Sequence, residues 1–273
     1  MPSLFNIFNR NASGELTQKE MSFLDHLEEL RWHIVKILIG WILATIACGI
    51  YSEFIVSKLL LGPLKAVGLK SQVLAPYGIV LLYMQSVLIC GFILSMPNTL
   101  YWLWRFIAPG LLPKERKYVS WLVAFTSLLF FGGVAFGYFV LIPTALDFFA
   151  GFGTQDIELN ISIDRYISFV LALIVGAGLV FELPMISYTL SKIGFLTPAF
   201  MRHYRRHAIV TILIIAALVT PTPDIVTQLL LGIPMILLYE VSILISAVVA
   251  KKREQEIFGE PEPQKEPEQE PES

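Results

Sequence analysis

His26-Leu27-Glu28-Glu29-Leu30-Arg31 leads directly into an apolar stretch that begins near His33 and runs to about residue 52. About twenty apolar residues in a row are what a helix needs to cross a hydrocarbon core of roughly 30 Å. A helix entering lipid usually brings Lys, Arg, Trp or Tyr to the water boundary. Here carboxylates and a histidine stand at that boundary as well. The junction decides the fold class, because the charged segment faces water and the apolar run after it can only be satisfied in lipid.

The rest of the chain repeats the pattern. Of its 273 residues, 55% are hydrophobic and only 15% charged, with a mean hydropathy of +0.67. Soluble domains carry about 25% charged residues. Apolar runs lie at about 33–52, 78–103, 118–141, 166–190, 208–220 and 225–250. The expected fold is therefore an all-α polytopic membrane protein with six transmembrane helices. Residues 1–16 read as a flexible N-terminus, 17–250 as the membrane domain, and 251–273 as a basic then acidic disordered tail.

Thr17 and Glu20 have capping-box spacing, so an interfacial helix is expected to start there. Between 53 and 77, Phe54, Ile55, Leu59 and Leu60 predict a short helix, punctuated by Pro63 and Pro76. The fifth run has only thirteen residues, about 20 Å as a helix. Lys and Arg collect on alternate connections, fifteen against four once Lys265 is set aside. Under the positive-inside rule this predicts an even number of spans with both termini in the cytoplasm.

Charged or amide side chains inside the spans are the first functional candidates. Glu182 stands in Leu179-Val180-Phe181-Glu182-Leu183-Pro184. An ionised acid at mid-span costs about 3 kcal/mol on insertion scales, so such a group faces a bundle interior or a wet cavity. It either fixes packing or takes part in function. Gln85, Gln228 and Glu240 are further polar positions that would line a shared surface with Glu182 if they converge. His203 and His207 have metal-ligand spacing, but Arg205 and Arg206 between them oppose a cation, so no metal site is expected. Cys48 and Cys90 read as apolar packing residues. No phosphate-binding loop, Gly-x-Ser-x-Gly or His-Glu-x-x-His is found, and neither an enzyme nor a cofactor is expected.

On the cytoplasmic side, Glu29 precedes the first span and Glu115 lies in the loop after the second. Carboxylates bind guanidinium groups through paired hydrogen bonds. Two of them on separate elements would grip two neighbouring arginines of a basic peptide. The alternative is local pairing, of Glu29 with Arg31 or His33 and of Glu115 with Lys114 or Arg116. Residue chemistry leaves both open.

A series of short motifs carries a resemblance. His26-Leu27-x-Glu29-Leu30-Arg31, Phe106-Ile107-Ala108-Pro109-Gly110-Leu111 with Glu115-Arg116, and Tyr138-Phe139-x-x-x-Pro143 come in order. So do Phe181-Glu182-x-Pro184, Thr220-Pro221 with Asp224 and Gln228, and Ile233-Pro234-Met235 with Glu240. Together they resemble the TatC family, the multispanning core of the twin-arginine protein translocase, over about residues 20–250. The resemblance implies a concave, glove-like bundle of six helices with short fifth and sixth helices, in the bacterial inner membrane. It implies a receptor for twin-arginine signal peptides, exporting folded cargo on the proton-motive force.

Carried over residue by residue, the resemblance makes Glu29 and Glu115 the arginine-recognition pair; from their place in the stretch, His26 and Arg31 would orient Glu29 or pair locally. Glu182 becomes the intramembrane carboxylate, with Gln85 at a position that is Lys in some members. Thr220, Gln228 and Glu240 fall in the region where single-span TatA- and TatB-type partners dock, and Pro63 and Asp224 are functional outer-loop positions. Other copies of the chain and membrane lipid are further implied partners, and nucleic acid is not. His33 stands where Arg is common in the family, and the Thr220-Pro221-Thr222-Pro223-Asp224 turn is one residue longer than its shorter form.

Overall fold

The computed structural model describes residues 23–107, 119–151, 160–220 and 224–258. The charged opening stretch and the first span form one uninterrupted helix, α1 (Phe23–Ile50). Thr17, Glu20 and the flexible N-terminus expected over 1–16 lie outside the described residues. Most of the α1 surface is apolar and exposed, for example Trp32, Ile39, Leu43 and Ile46, as expected of a helix facing lipid on several sides. It is held against α4 (Gly78–Ile107). At Gly91 of α4 an added Cβ would fall 2.6 Å from the Thr45 Cα, so only glycine lets the two backbones meet there. The indole N–H of Trp41 donates to the Leu88 carbonyl at 3.1 Å across the same contact.

The connection after α1 is built from short helical segments. It folds as α2 (Ser52–Phe54), a π-helical turn at Ile55–Leu60 and α3 (Gly62–Ala66), so the expected short helix is present but compound. Ile55, Val56, Leu60 and Leu64 are buried. The Tyr138 hydroxyl donates to the Leu59 carbonyl at 2.9 Å, and the Tyr166 hydroxyl to the Leu60 carbonyl at 2.8 Å. A strand, β1 (Lys70–Gln72), then pairs in parallel with β2 (Asn160–Ser162), Ser71 facing Ile161. This pairing, which apolar periodicity did not predict, brings residues 70–72 beside 160–162 and so ties together two connections far apart in the chain.

The third span, expected at 118–141, continues further. Helix α5 (Val119–Phe136) passes through a π turn at Gly137–Leu141 into α6 (Ile142–Gly151). The wider turn just before Pro143 accommodates a residue that has no N–H to give.

The fourth span is the centre of the bundle. It comprises α7 (Ile163–Val180), a turn at Phe181 and Glu182, and α8 (Leu183–Ile193) with Pro184 in its first turn. About two thirds of its most apolar window is buried, far more than in the other spans. Its contact with α5 runs through small residues. An added Cβ at Gly133 would lie 2.9 Å from the Gly178 Cα, and one at Gly178 would lie 2.7 Å from the Phe130 ring.

The chain then enters α9 (Pro198–His203), capped by the Thr197 hydroxyl, which accepts the Phe200 N–H at 3.2 Å. Helix α10 (Arg205–Val219) starts earlier than the predicted 208, so Arg205 to His207 belong to it. At 15 residues it spans about 22 Å. Its last residue, Val219, lies against Gly176, thirteen residues into α7, so the hairpin turns back before the side that carries β1 and β2.

The last helix corrects an expectation. A short sixth helix was implied, yet α11 (Ile225–Phe258) has 34 residues. Lys251 to Glu256 are all good helix formers, and the first breakers after them are Gly259 and Pro261. The helix therefore continues into the segment expected to begin the disordered tail, whose acidic part, 259–273, lies outside the described residues. Among the described residues five helices are long and apolar enough to cross a membrane: Leu27–Ile50, Gly78–Ile107, Ser120–Gly151, Ile163–Ile193 and Ile225–Lys252. Helix α10, the short fifth run, is not among them.

Candidate functional site

The opening stretch becomes a site through Trp102. His33, one turn after Glu29, is 5% exposed, and its ring lies 5.4 Å from Trp102 and 6.1 Å from Phe106 near the end of α4. His33 Nδ1 donates to the Glu29 backbone carbonyl at 2.7 Å. A carbonyl only accepts, so this nitrogen carries the proton. Lys36 Nζ sits 4.2 Å from the Trp102 ring centre and the Arg105 guanidinium 5.4 Å from it. The Trp102 N–H donates to Asn98 Oδ1 at 3.1 Å. The Glu29 turn of α1 is thereby fixed beside the end of α4.

Glu29 is half-buried, and Glu28 and Arg31 are exposed or nearly so in the same turn. Glu115 lies outside the described residues, and so does the His26 side chain. The bond that His33 makes to Glu29 is to its backbone carbonyl. From sequence alone Trp102 reads as a boundary anchor, whereas the structure makes it the hub. The signal was available in Asn98 and Arg105, four residues before it and three after.

Gln85 and Glu182 do not come together. Gln85 Oε1 accepts the Ser168 hydroxyl at 3.2 Å. Ser168 precedes Glu182 by fourteen residues, roughly 20 Å along a helix. Gln85 and Glu182 are therefore two separate places. Glu182 is 6% exposed at the α7–α8 break, where its backbone carbonyl accepts from Ile186 at 2.9 Å. Its Oε1 is buried with no hydrogen-bond partner among the described residues.

Gln228 donates to the Leu213 carbonyl at 2.9 Å, and Glu240 is 2.6 Å from the Arg205 Nε, both ties between α11 and α10. The Thr220 hydroxyl is buried and donates to the Ala216 carbonyl at 2.9 Å. Asp224 caps α11, its Oδ1 accepting the Thr227 N–H at 2.7 Å. Pro63 is in the first turn of α3, where its missing N–H costs nothing.

This arrangement of spans has counterparts in known proteins. The sequence profile described as Sec-independent protein translocase protein (TatC) matches residues 25–234. The chain belongs to the TatC family. A TatC of Carboxydothermus hydrogenoformans is 34% identical over 237 residues, covering 87% of this chain and 97% of the relative. One of Aquifex aeolicus is 35% identical over 243 residues, 86% and 98% of the two chains. A crystal structure of a TatC described as a twin-arginine translocase receptor superposes with a TM-score of 0.75 at 34% identity, covering 82% of this chain and 99% of that one.

As a TatC, the chain is a multi-pass membrane protein of a Sec-independent translocase. The TatC match ends within α11, before the helical extension past Lys252 and the acidic segment.

Proposed function

We propose that this TatC is the receptor for twin-arginine signal peptides and the core of a translocase that exports folded proteins on the proton-motive force. The observation that carries the reading is the docking of His33 on Trp102 and Phe106. It sets the Glu29 turn at the end of α4, eight residues before Glu115. Together, Glu29 and Glu115 would provide paired acceptors for two guanidinium groups. Arg31 in the same turn, with Lys36 and Arg105 at Trp102, would disfavour free cations, so the site favours a peptide that adds its own contacts.

The Lys and Arg distribution supports a cytoplasmic location for this site and for both termini, in a bacterial inner membrane. Single-span TatA- and TatB-type subunits dock on the α10–α11 hairpin. Since Gln228 and Glu240 already tie the two helices together, the partner meets the apolar residues outside them, such as Leu218, Ile225 and Ile233, each more than half exposed. Further TatC copies complete the receptor.

The test is photocrosslinking from a probe at Glu28, which is exposed beside the site, to a twin-arginine peptide in membranes containing the full chain. Glu29→Ala with Glu115→Ala abolishes the crosslink, and a peptide with twin lysines gives little. An unchanged crosslink in the double variant would sink the receptor reading.

A further inference from the structure

A groove of about 360 Å3 runs between α8 and α11 and includes none of the residues assigned above. Tyr188 and Lys192 line it from α8, and Leu244, Val248 and Lys252 from α11. Both sets have i, i+4 spacing, so each forms a stripe on one helix face. Both stripes end in a lysine. Each lysine also falls at the end of its apolar span, Ile163–Ile193 or Ile225–Lys252. Leu244 and Val248 are about 60% exposed, and nothing among the described residues covers them. The buried Ser191 hydroxyl donates to the Ser246 hydroxyl at 2.8 Å, which locks the two helices together at this level.

The groove thus changes from apolar wall to paired cations at the membrane boundary. An acyl chain joined to a phosphate has the same polarity along its length. Basic pockets between spans on the cytoplasmic side bind anionic headgroups for this reason. The acidic segment 259–273 is the rival occupant. Its glutamates would answer the lysines, but it has no Leu, Ile, Val, Met or aromatic residue to cover Leu244 and Val248. We propose that this groove holds one anionic phospholipid, its phosphate between Lys192 and Lys252 and an acyl chain along Leu244 and Val248. The site does not depend on the receptor reading.

The experiment is native mass spectrometry of the full chain in neutral detergent, titrated with phosphatidylglycerol or with phosphatidylcholine of the same acyl chains. One phosphatidylglycerol is retained, at least tenfold more tightly than phosphatidylcholine. Lys192→Gln and Lys252→Gln each weaken it about fivefold, which is about 1 kcal/mol. Lys251→Gln, exposed and outside the groove, leaves it unchanged. Arginine at both 192 and 252 preserves binding, which separates loss of charge from loss of fold. Equal retention of the two lipids, or an equal loss in Lys251→Gln, would overturn the site. So would tighter phosphatidylglycerol binding when the glutamates of 259–273 are changed to glutamine, which would assign the groove to that segment.

Discussion

His33 Nδ1 donates to the Glu29 carbonyl 2.7 Å away while the His33 ring is buried against Trp102. The bond stays within one helix, but the ring contact ties that helix to another. The ring contact thereby holds the Glu29 turn against α4. His33→Ala removes both the bond and the packing. Signal-peptide affinity is expected to fall about five- to tenfold, from roughly 1 kcal/mol for the hydrogen bond plus lost positioning. His33→Phe, which keeps the ring contact, recovers most of it. Peptide titration by fluorescence anisotropy in nanodiscs reads both. Equal losses in the two variants would show that the hydrogen bond, not the ring contact, sets the site.

Asp224 serves as an N-cap, so part of its importance is structural. Asp224→Ala is expected to cost about 1 kcal/mol of stability, and Asp224→Asn very little. Thermal unfolding of the purified protein measures this. If Asp224→Asn keeps the melting temperature but loses export of a folded reporter, the charge has a second role.

Tyr166 and Tyr138 donate to neighbouring carbonyls of the π turn, but only Tyr166 is fully buried. A buried acceptor left without its donor costs about 1–3 kcal/mol, while water can replace an exposed one. Tyr166→Phe should therefore lower the melting temperature clearly, and Tyr138→Phe only slightly. The reverse order would mean that the 55–60 turn is wetter than its packing indicates.

At Glu182 stability and function are expected to part. A buried carboxyl oxygen with no partner among the described residues is a cost to folding, and an apolar side chain removes it. Glu182→Leu should keep or raise the melting temperature while lowering export. Glu182→Gln should keep stability and show whether a proton-binding group is required. A fall in melting temperature with Leu would mark the carboxyl as a packing element.

The Arg205–Glu240 ion pair joins α10 to α11, with side chains 57% and 34% exposed. A pair this open is worth at most about 1 kcal/mol. Glu240→Gln should shift the melting temperature by a few degrees or less. A larger effect on TatB-type crosslinking than on stability would indicate that a partner competes for one of the two charges.

Much of the architecture is legible along the chain because bilayer insertion depends on local composition. The runs at 33–52, 78–103, 166–190 and 225–250 each correspond to a span of the structure, and Phe181-Glu182-x-Pro184 marks a real break. Helix ends are also local in origin, yet α11 overran its predicted end, because charged residues end a membrane span without ending a helix.

What the sequence determined by itself was therefore the set of membrane helices, their expected sidedness by charge, and the family. The tertiary structure decided the partnerships. It paired β1 with β2, sent Gln85 to Ser168 instead of Glu182, and gathered His33, Lys36 and Arg105 around Trp102. The physical reason is that hydropathy sums over neighbours in the chain, whereas a hydrogen bond or ring contact depends on which helix faces meet. Those faces are set by close approaches at a few glycines, Gly91, Gly133 and Gly178, whose effect appears only when the other helix is in place.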